Sequence, residues 1–113
     1  RQSVQYGGMA GAFFETYVVS EVLKSYLFRG LDPMLYYLRS QDGHEIDLLI
    51  QEGRNLYPVE VKMSASPKES DTSNIEFFRK AIPDLQKGAV VCLAQDALPI
   101  TRTVDRLPVG FIT

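Results

Sequence analysis

Two strand-like runs joined by a short turn constrain this chain more than any other feature. EIDLLIQ (45–51) and LYPVEVKM (56–63) are rich in branched apolar residues, and EGRN between them has the composition of a hairpin turn. A third run, MLYYLRS (34–40), is joined to the first by QDG. Three strands connected by tight turns predict an antiparallel meander.

Helical spacing appears on both sides of this meander. The proline-free run from Met9 to Phe28 repeats its apolar residues every three or four positions, which predicts a helix of about 20 residues, roughly 30 Å long. A second helix is predicted to start at Ser73 or Asn74, and Pro83 is expected to end or kink it. These helices can cover the sheet.

The end of the chain offers two further apolar runs. AVVCLA (89–94) is nearly all apolar and predicts a strand covered on both faces, while PVGFI (108–112) is a candidate edge strand. The predicted fold class is therefore α/β, with the order helix-strand-strand-strand-helix-strand and a small mixed sheet flanked by helices. We predict one domain, with a connector over 1–8, a core over 9–94 and a C-terminal extension over 95–113.

Composition excludes several kinds of site. With one cysteine and one histidine, a zinc site built from this chain is excluded, and any metal would be a hard cation held by carboxylates. Cys92, inside the apolar run, is interpreted as a small buried hydrophobe. No apolar run approaches the roughly 20 residues that span a bilayer, so no membrane partner is expected and a cytoplasmic location is the default.

Three charged residues interrupt the predicted hairpin at regular positions. Because side chains alternate faces along a strand, Asp47 should lie on the face opposite to Ile46 and Leu48. The same alternation places Glu60 and Lys62 together on one face of the next strand. The two strands are neighbours, so two carboxylates and a lysine are expected to meet.

The first helix contributes a further acid. Glu15 begins a stripe that continues through Val18, Val22 and Tyr26 and is otherwise apolar, so it is expected to face the sheet. A carboxylate at the edge of a core stripe is costly unless it is paired or coordinates a cation. We therefore include Glu15 in the candidate site.

The chemistry of this set is that of a magnesium-dependent phosphodiesterase. Mg²⁺ prefers oxygen ligands and keeps several waters, so two carboxylates and a phosphate are enough to hold it. The spacing Glu60-Val61-Lys62 brings an amine to the same face, where it can orient or help deprotonate water, or stabilise charge on the phosphate.

These residues resemble the PD-(D/E)XK superfamily of restriction-endonuclease-like nucleases. More narrowly, GAFFETYVVSEVLK, LYYLRSQDGHEIDLLI and YPVEVKMSAS are similar to the C-terminal domain of unknown function (family 4143) of predicted prokaryotic AAA+ ATPases. The resemblance implies that Asp47 and Glu60 ligate Mg²⁺ or Mn²⁺, that Lys62 acts on the water or the phosphate, and that Glu15 binds metal or positions a ligand.

The resemblance also implies partners: DNA or another nucleic acid as substrate, and an ATPase portion preceding Arg1. This chain contains no phosphate loop ending in Gly-Lys-Ser/Thr, so ATPase activity would lie outside it. The oligomeric state stays open.

An alternative is a non-catalytic binding or assembly module of that ATPase with a degenerate site. The net charge of −2 and the lack of a basic stripe favour it, because they offer no track for a nucleic acid. Ile46 stands where the superfamily pattern has proline, a departure that is common in this diverse superfamily. His44 follows the tight turn and is interpreted as a solvated turn residue rather than a base.

Overall fold

The computed structural model describes residues 2–112, with side chains from Met9 to Ile112. Its α-helices and β-strands follow in chain order: α1 Gln2–Phe28, β1 Met34–Arg39, β2 Glu45–Glu52, β3 Asn55–Val61, α2 Ser73–Arg79, β4 Gly88–Cys92, β5 Leu98–Pro99 and β6 Val104–Pro108. Two short 3-10 helices, Glu69–Thr72 and Val109–Phe111, precede α2 and follow β6.

The strands form one mixed sheet in the order β1-β2-β3-β4-β6-β5. The first three strands are antiparallel neighbours, which confirms the predicted meander. After the crossover through α2, β4 pairs parallel to β3 and β6 pairs parallel to β4, whereas β5 pairs antiparallel to β6. Residues 2–112 therefore form a mixed α/β structure, as predicted, with a six-stranded sheet and two α-helices.

The two α-helices differ from their predicted limits. α1 begins at Gln2, whereas the sequence predicted a connector over 1–8 and a helix start at Met9. α2 begins at Ser73 as predicted but ends at Arg79, and the amide of Ile82 still bonds back to the carbonyl of Phe78. The residue before a proline is disfavoured in helical conformation, so the chain leaves the helix ahead of Pro83.

The C-terminal segment contains more of the sheet than the sequence indicated. The prediction of a strand over 108–112 is wrong, because residues Val109–Phe111 form a 3-10 helix and the strand β6 precedes it. This strand escaped prediction because charged residues interrupt it, and both are paired in the fold: Asp105 with Lys87 at 3.1 Å, and Arg106 with Asp96.

Apolar side chains form one cluster on each face of the sheet. On the α2 face the buried residues are Ile46, Leu49, Ile75, Phe78, Leu85, Val90 and Val104. On the α1 face they are Val18, Val22, Leu48, Val59 and Val91. Full burial of one such side chain contributes about 1.5–3 kcal/mol. Cys92 is fully buried in β4, which confirms its interpretation as a small hydrophobe.

A β-bulge in β2 changes which residues share a face. Tyr36 of β1 pairs with Leu49, but Leu38 pairs with Ile46, so three steps along β2 oppose two steps along β1. Ile46 and Leu49 consequently both face α2, while Leu48 faces α1. The expectation that Ile46 and Leu48 lie on the same face is therefore wrong, and Asp47 lies within the bulge.

No helix among residues 2–112 has both the length and the apolar character that crossing a bilayer requires.

Candidate functional site

The pairing of β2 with β3 stops one step before Asp47 and Glu60. Its last pair is Leu48 with Val59, so the two acidic residues come next on their strands but are not paired with each other in the ladder. There, side-chain carboxylates accept the hydrogen bonds of backbone amides in place of backbone carbonyls. The Asp47 amide donates to Glu60 Oε1 at 3.1 Å, and the Val61 amide donates to Asp47 Oδ2 at 2.8 Å. The structure thus brings both predicted carboxylates to one point of the sheet.

Burial makes the negative charge of this pair expensive. Glu60 is only 9% exposed, and burial followed by the charge of Asp47 raises its pKa to about 7, although the Asp47 amide and Asn74 oppose the shift. The pKa of Asp47 is also raised, mainly by burial, against the stabilising hydrogen bond from Val61. The site therefore favours a proton or a cation between the two acids.

Lys62 lines a cavity beside Glu60 but pairs with another acid. A cavity of about 260 Å³ is lined by Glu60, Lys62, Asp71, Asn74 and neighbouring residues. Within it, Lys62 Nζ lies 3.6 Å from Asp71 Oδ1, on the 3-10 helix that leads into α2. Within residues 2–112, Lys62 forms its ion pair with Asp71. Its amine therefore does not neutralise the carboxylates of Asp47 and Glu60.

Glu15 is an exposed side chain of α1 near the same acids. Its pKa is raised, first by partial desolvation and then by the charges of Asp47 and Glu45. Glu15 is thus within electrostatic range of the pair, and the structure shows no hydrogen bond between them. It adds negative potential to the site from the α1 side.

The donor chemistry of the site fits a hard divalent cation held in part by water or phosphate. No three His, Cys, Asp or Glu side chains within residues 2–112 are grouped to hold a metal ion by themselves. Asp47 and Glu60 form a pair, and two carboxylates are what Mg²⁺ commonly takes from a protein. Their raised pKa values show that negative charge here is not fully compensated.

Two residues contact the site that sequence reasoning did not assign to it. Asn74, at the start of α2, donates from Nδ2 to Glu60 Oε2 at 3.4 Å, and its Oδ1 lies 3.0 Å from Nδ1 of His44. The sequence predicts a helix start at Ser73 or Asn74, and α2 begins at Ser73. The interpretation of His44 as a solvated residue is wrong, because its ring is half-buried and stacked on Phe77. Only the packing of α2 against the β1–β2 turn joins these residues.

The sequence was compared with models of known protein families. A family model described as a domain of unknown function, DUF4143, matches residues 10–112, nearly the whole chain. The chain belongs to the DUF4143 family. The matched region of this DUF4143 domain includes Glu15, Asp47, Glu60 and Lys62, and it also includes β6, which the sequence analysis had placed outside the core. No curated protein and no solved structure matches the chain.

Proposed function

We propose that this DUF4143 domain is a Mg²⁺- or Mn²⁺-dependent phosphodiesterase of the PD-(D/E)XK, restriction-endonuclease-like class, acting on nucleic acid. The observation that supports it best is the pair of the half-buried Asp47 and the buried Glu60, whose carboxylates meet where the β2–β3 ladder ends. A pair of desolvated acids with raised pKa values is costly for folding alone, and such groups concentrate at functional sites.

Each residue has a distinct task in this proposal. Asp47 and Glu60 hold the cation with the oxygen lone pairs that the backbone amides and Asn74 leave open. The bound cation supplies charge neutralisation and polarises the phosphate. Lys62 borders the same cavity and orients the attacking water or stabilises charge on the phosphate, once its exposed side chain turns from Asp71.

The overall charge of this chain does not supply the affinity for a nucleic-acid substrate. The net charge of −2 would repel a polyanion, so a nucleic acid must be held by local contacts or by another part of a longer protein. We propose an AAA+ ATPase portion as that part, which the resemblance of the site motifs supports.

The test compares cleavage by isosteric variants of the pair. Labelled single- and double-stranded DNA and RNA are incubated with the chain, and with a longer protein that contains it, in Mg²⁺, Mn²⁺ or EDTA. We expect Asp47→Asn and Glu60→Gln to lose cleavage by roughly 100-fold or more and Lys62→Met to lose it similarly, because each removes charge needed at the phosphate. Glu69→Gln, a substitution of an exposed acid outside the site, is the matched control. Cleavage that survives Asp47→Asn would disprove the assignment.

A second candidate function is a non-catalytic binding or assembly module. The specific observation in its favour is the ion pair of Lys62 with Asp71, which occupies the amine that catalysis would need. It predicts that the wild-type chain binds Mn²⁺ weakly or not at all in calorimetry and cleaves none of the substrates. Tight Mn²⁺ binding that Asp47→Asn abolishes would exclude this alternative.

A further inference from the structure

A chain of polar contacts leads away from Glu60 to the β1–β2 turn. Glu60 Oε2 accepts from Nδ2 of Asn74, and Oδ1 of Asn74 contacts Nδ1 of His44 at 3.0 Å. The three residues come from β3, α2 and the residue just before β2. The link therefore joins three separate elements around one carboxylate.

The donor and acceptor roles along this link are determined by its ends. Ionised Glu60 only accepts, so the Asn74 amide must turn its NH₂ group toward Oε2 and its oxygen toward the imidazole. The oxygen of Asn74 can only accept in turn, so Nδ1 of His44 must carry the proton. The link thus requires the Nδ1–H form of the ring.

Packing holds the imidazole in the plane that this contact needs. The His44 ring stacks on Phe77 with the centroids 3.8 Å apart and the planes 12° from parallel. Phe77 in turn meets Phe78 edge-on at 5.1 Å, and Phe78 belongs to the buried cluster under α2. The orientation of Asn74 is therefore tied to the core through a stacked ring.

Both oxygens of Glu60 are consequently restrained, one by the Asp47 amide and the other by Asn74. Docking of α2 does not require this link, because Ile75 and Phe78 already bury the helix against the sheet. Residues that orient a metal-ligating carboxylate typically change metal affinity by about 10- to 100-fold when they are removed.

We propose that Asn74, itself oriented by His44, is the positioning residue that fixes the Glu60 carboxylate. The part of this inference that concerns cation binding rests on the proposed function. His44 acts through Asn74 and is a second positioning residue, not a base.

The first experiment reads the tautomer of His44 directly. His44 is the single histidine of the chain, so ¹⁵N-detected long-range correlation spectra over a pH series give one assignable set of ring signals. At about pH 8–9, above the pKa of Glu60, the metal-free wild type is expected to show the Nδ1–H form of the neutral ring, and Asn74→Ala to revert it toward Nε2–H. At that pH, an Nε2–H ring in the wild type, or a ring unchanged by Asn74→Ala, overturns the proposal.

The second experiment measures Mn²⁺ affinity by calorimetry. Asn74→Ala is expected to weaken binding by about tenfold. His44→Phe, which keeps a ring for the Phe77 stack without a donor, should weaken it as well, whereas His44→Gln keeps a donor and should restore part of the affinity. Asn55→Ala, at the only other asparagine, is the matched control, and thermal unfolding verifies that every variant is folded.

The outcomes separate this inference from the proposed function. If the wild type binds Mn²⁺ and Asn74→Ala binds it equally well, the positioning role is overturned while the proposed function stands. If the wild type binds no Mn²⁺, the proposed function fails, and the tautomer of His44 alone decides whether Asn74 and His44 hold Glu60.

Discussion

Asp47 and Glu60 accept hydrogen bonds that backbone carbonyls accept elsewhere in the sheet. Each carboxylate receives an amide of the opposite strand where the β2–β3 ladder has ended. An alanine at either position would leave a half-buried amide without its partner, at a cost of up to about 1–3 kcal/mol, in addition to any loss of function. Asparagine and glutamine keep an acceptor oxygen, so these isosteric changes separate charge from structure.

The raised pKa of Glu60 predicts a pH dependence of stability. An acid whose pKa is higher in the folded state stabilises the fold while protonated, and this contribution is fully present below about pH 4.5 and is lost as the pH rises through about 7. Glu60→Gln cannot ionise, so its free energy of unfolding should exceed that of the wild type by roughly 3 kcal/mol more at about pH 8 than at pH 4. Urea unfolding in EDTA across this range measures the difference.

Glu69→Gln is the matched control for this titration, since Glu69 is an exposed acid on the 3-10 helix before α2. Its stability should follow the wild type at every pH. If wild type and Glu60→Gln show parallel pH profiles, burial and the Asp47 charge do not perturb Glu60 as the structure indicates.

The residues of the site were predictable to different degrees. Spacing along two neighbouring strands was enough to predict that Asp47 and Glu60 lie near each other. It did not reveal that Lys62 pairs with Asp71, or that Asn74 and His44 approach Glu60. These partners lie on other elements, and a local pattern contains no information about how α2 docks on the sheet.

At the level of elements, the bulge in β2 directs the Asp47 side chain toward β3. The extra residue between the pairs Tyr36–Leu49 and Leu38–Ile46 lets β2 keep apolar side chains toward both helices while Asp47 turns to β3. Strict alternation could not predict this, because a bulge needs no special residue in the sequence here and is visible only in the register with β1.

The start of β4 is packed closely against β3 and α2. A Cβ at Gly88 would lie 3.0 Å from the carbonyl oxygen of Pro58 and 3.2 Å from Cδ1 of Ile75. The Pro58 carbonyl belongs to a central strand and cannot move freely, so Gly88→Ala should destabilise the protein by about 1–3 kcal/mol. Chemical denaturation with a two-state fit measures the change.

Gly11 provides the opposite case in the same chain. It lies inside α1, and a Cβ there would meet nothing within 4 Å. Gly11→Ala should therefore stabilise the protein by about 0.5–1 kcal/mol, through the lower backbone entropy of alanine in the unfolded state. Equal effects of the two substitutions would show that the contacts at Gly88 do not limit packing.

At the level of the whole molecule, the C-terminal segment completes the sheet. β6 lies between β4 and β5, and its Val104 is fully buried in the cluster under α2. The Arg79 guanidinium also bonds the carbonyl of Thr103, just ahead of β6, at 3.4 Å. The family match, which extends to residue 112, agrees with this view of the domain.

A chain truncated to residues 1–94 should consequently fail to fold. It would expose the β4 edge and the Val90 side of the core, and it would remove β6, one of the two parallel partners of β4. We expect loss of near-ultraviolet circular dichroism and of cooperative thermal unfolding. Leu98→Ala, at an exposed position of the short edge strand β5, should leave both intact. A cooperative transition in the truncated chain would show that β6 is dispensable.

The sequence by itself determined the elements whose signals are local: the long first helix, the three-stranded meander, the crossover to a buried β4 and the adjacency of the two strands that carry Asp47 and Glu60. Tertiary structure alone decided the bulge in β2, the insertion of β6 and the ion pair of Lys62 with Asp71. Periodicity and turn composition act between residues close in sequence, so they specify helices and hairpins. Register, strand order and the partners of long side chains depend on contacts between distant segments, which exist only once the sheet and its helices have packed.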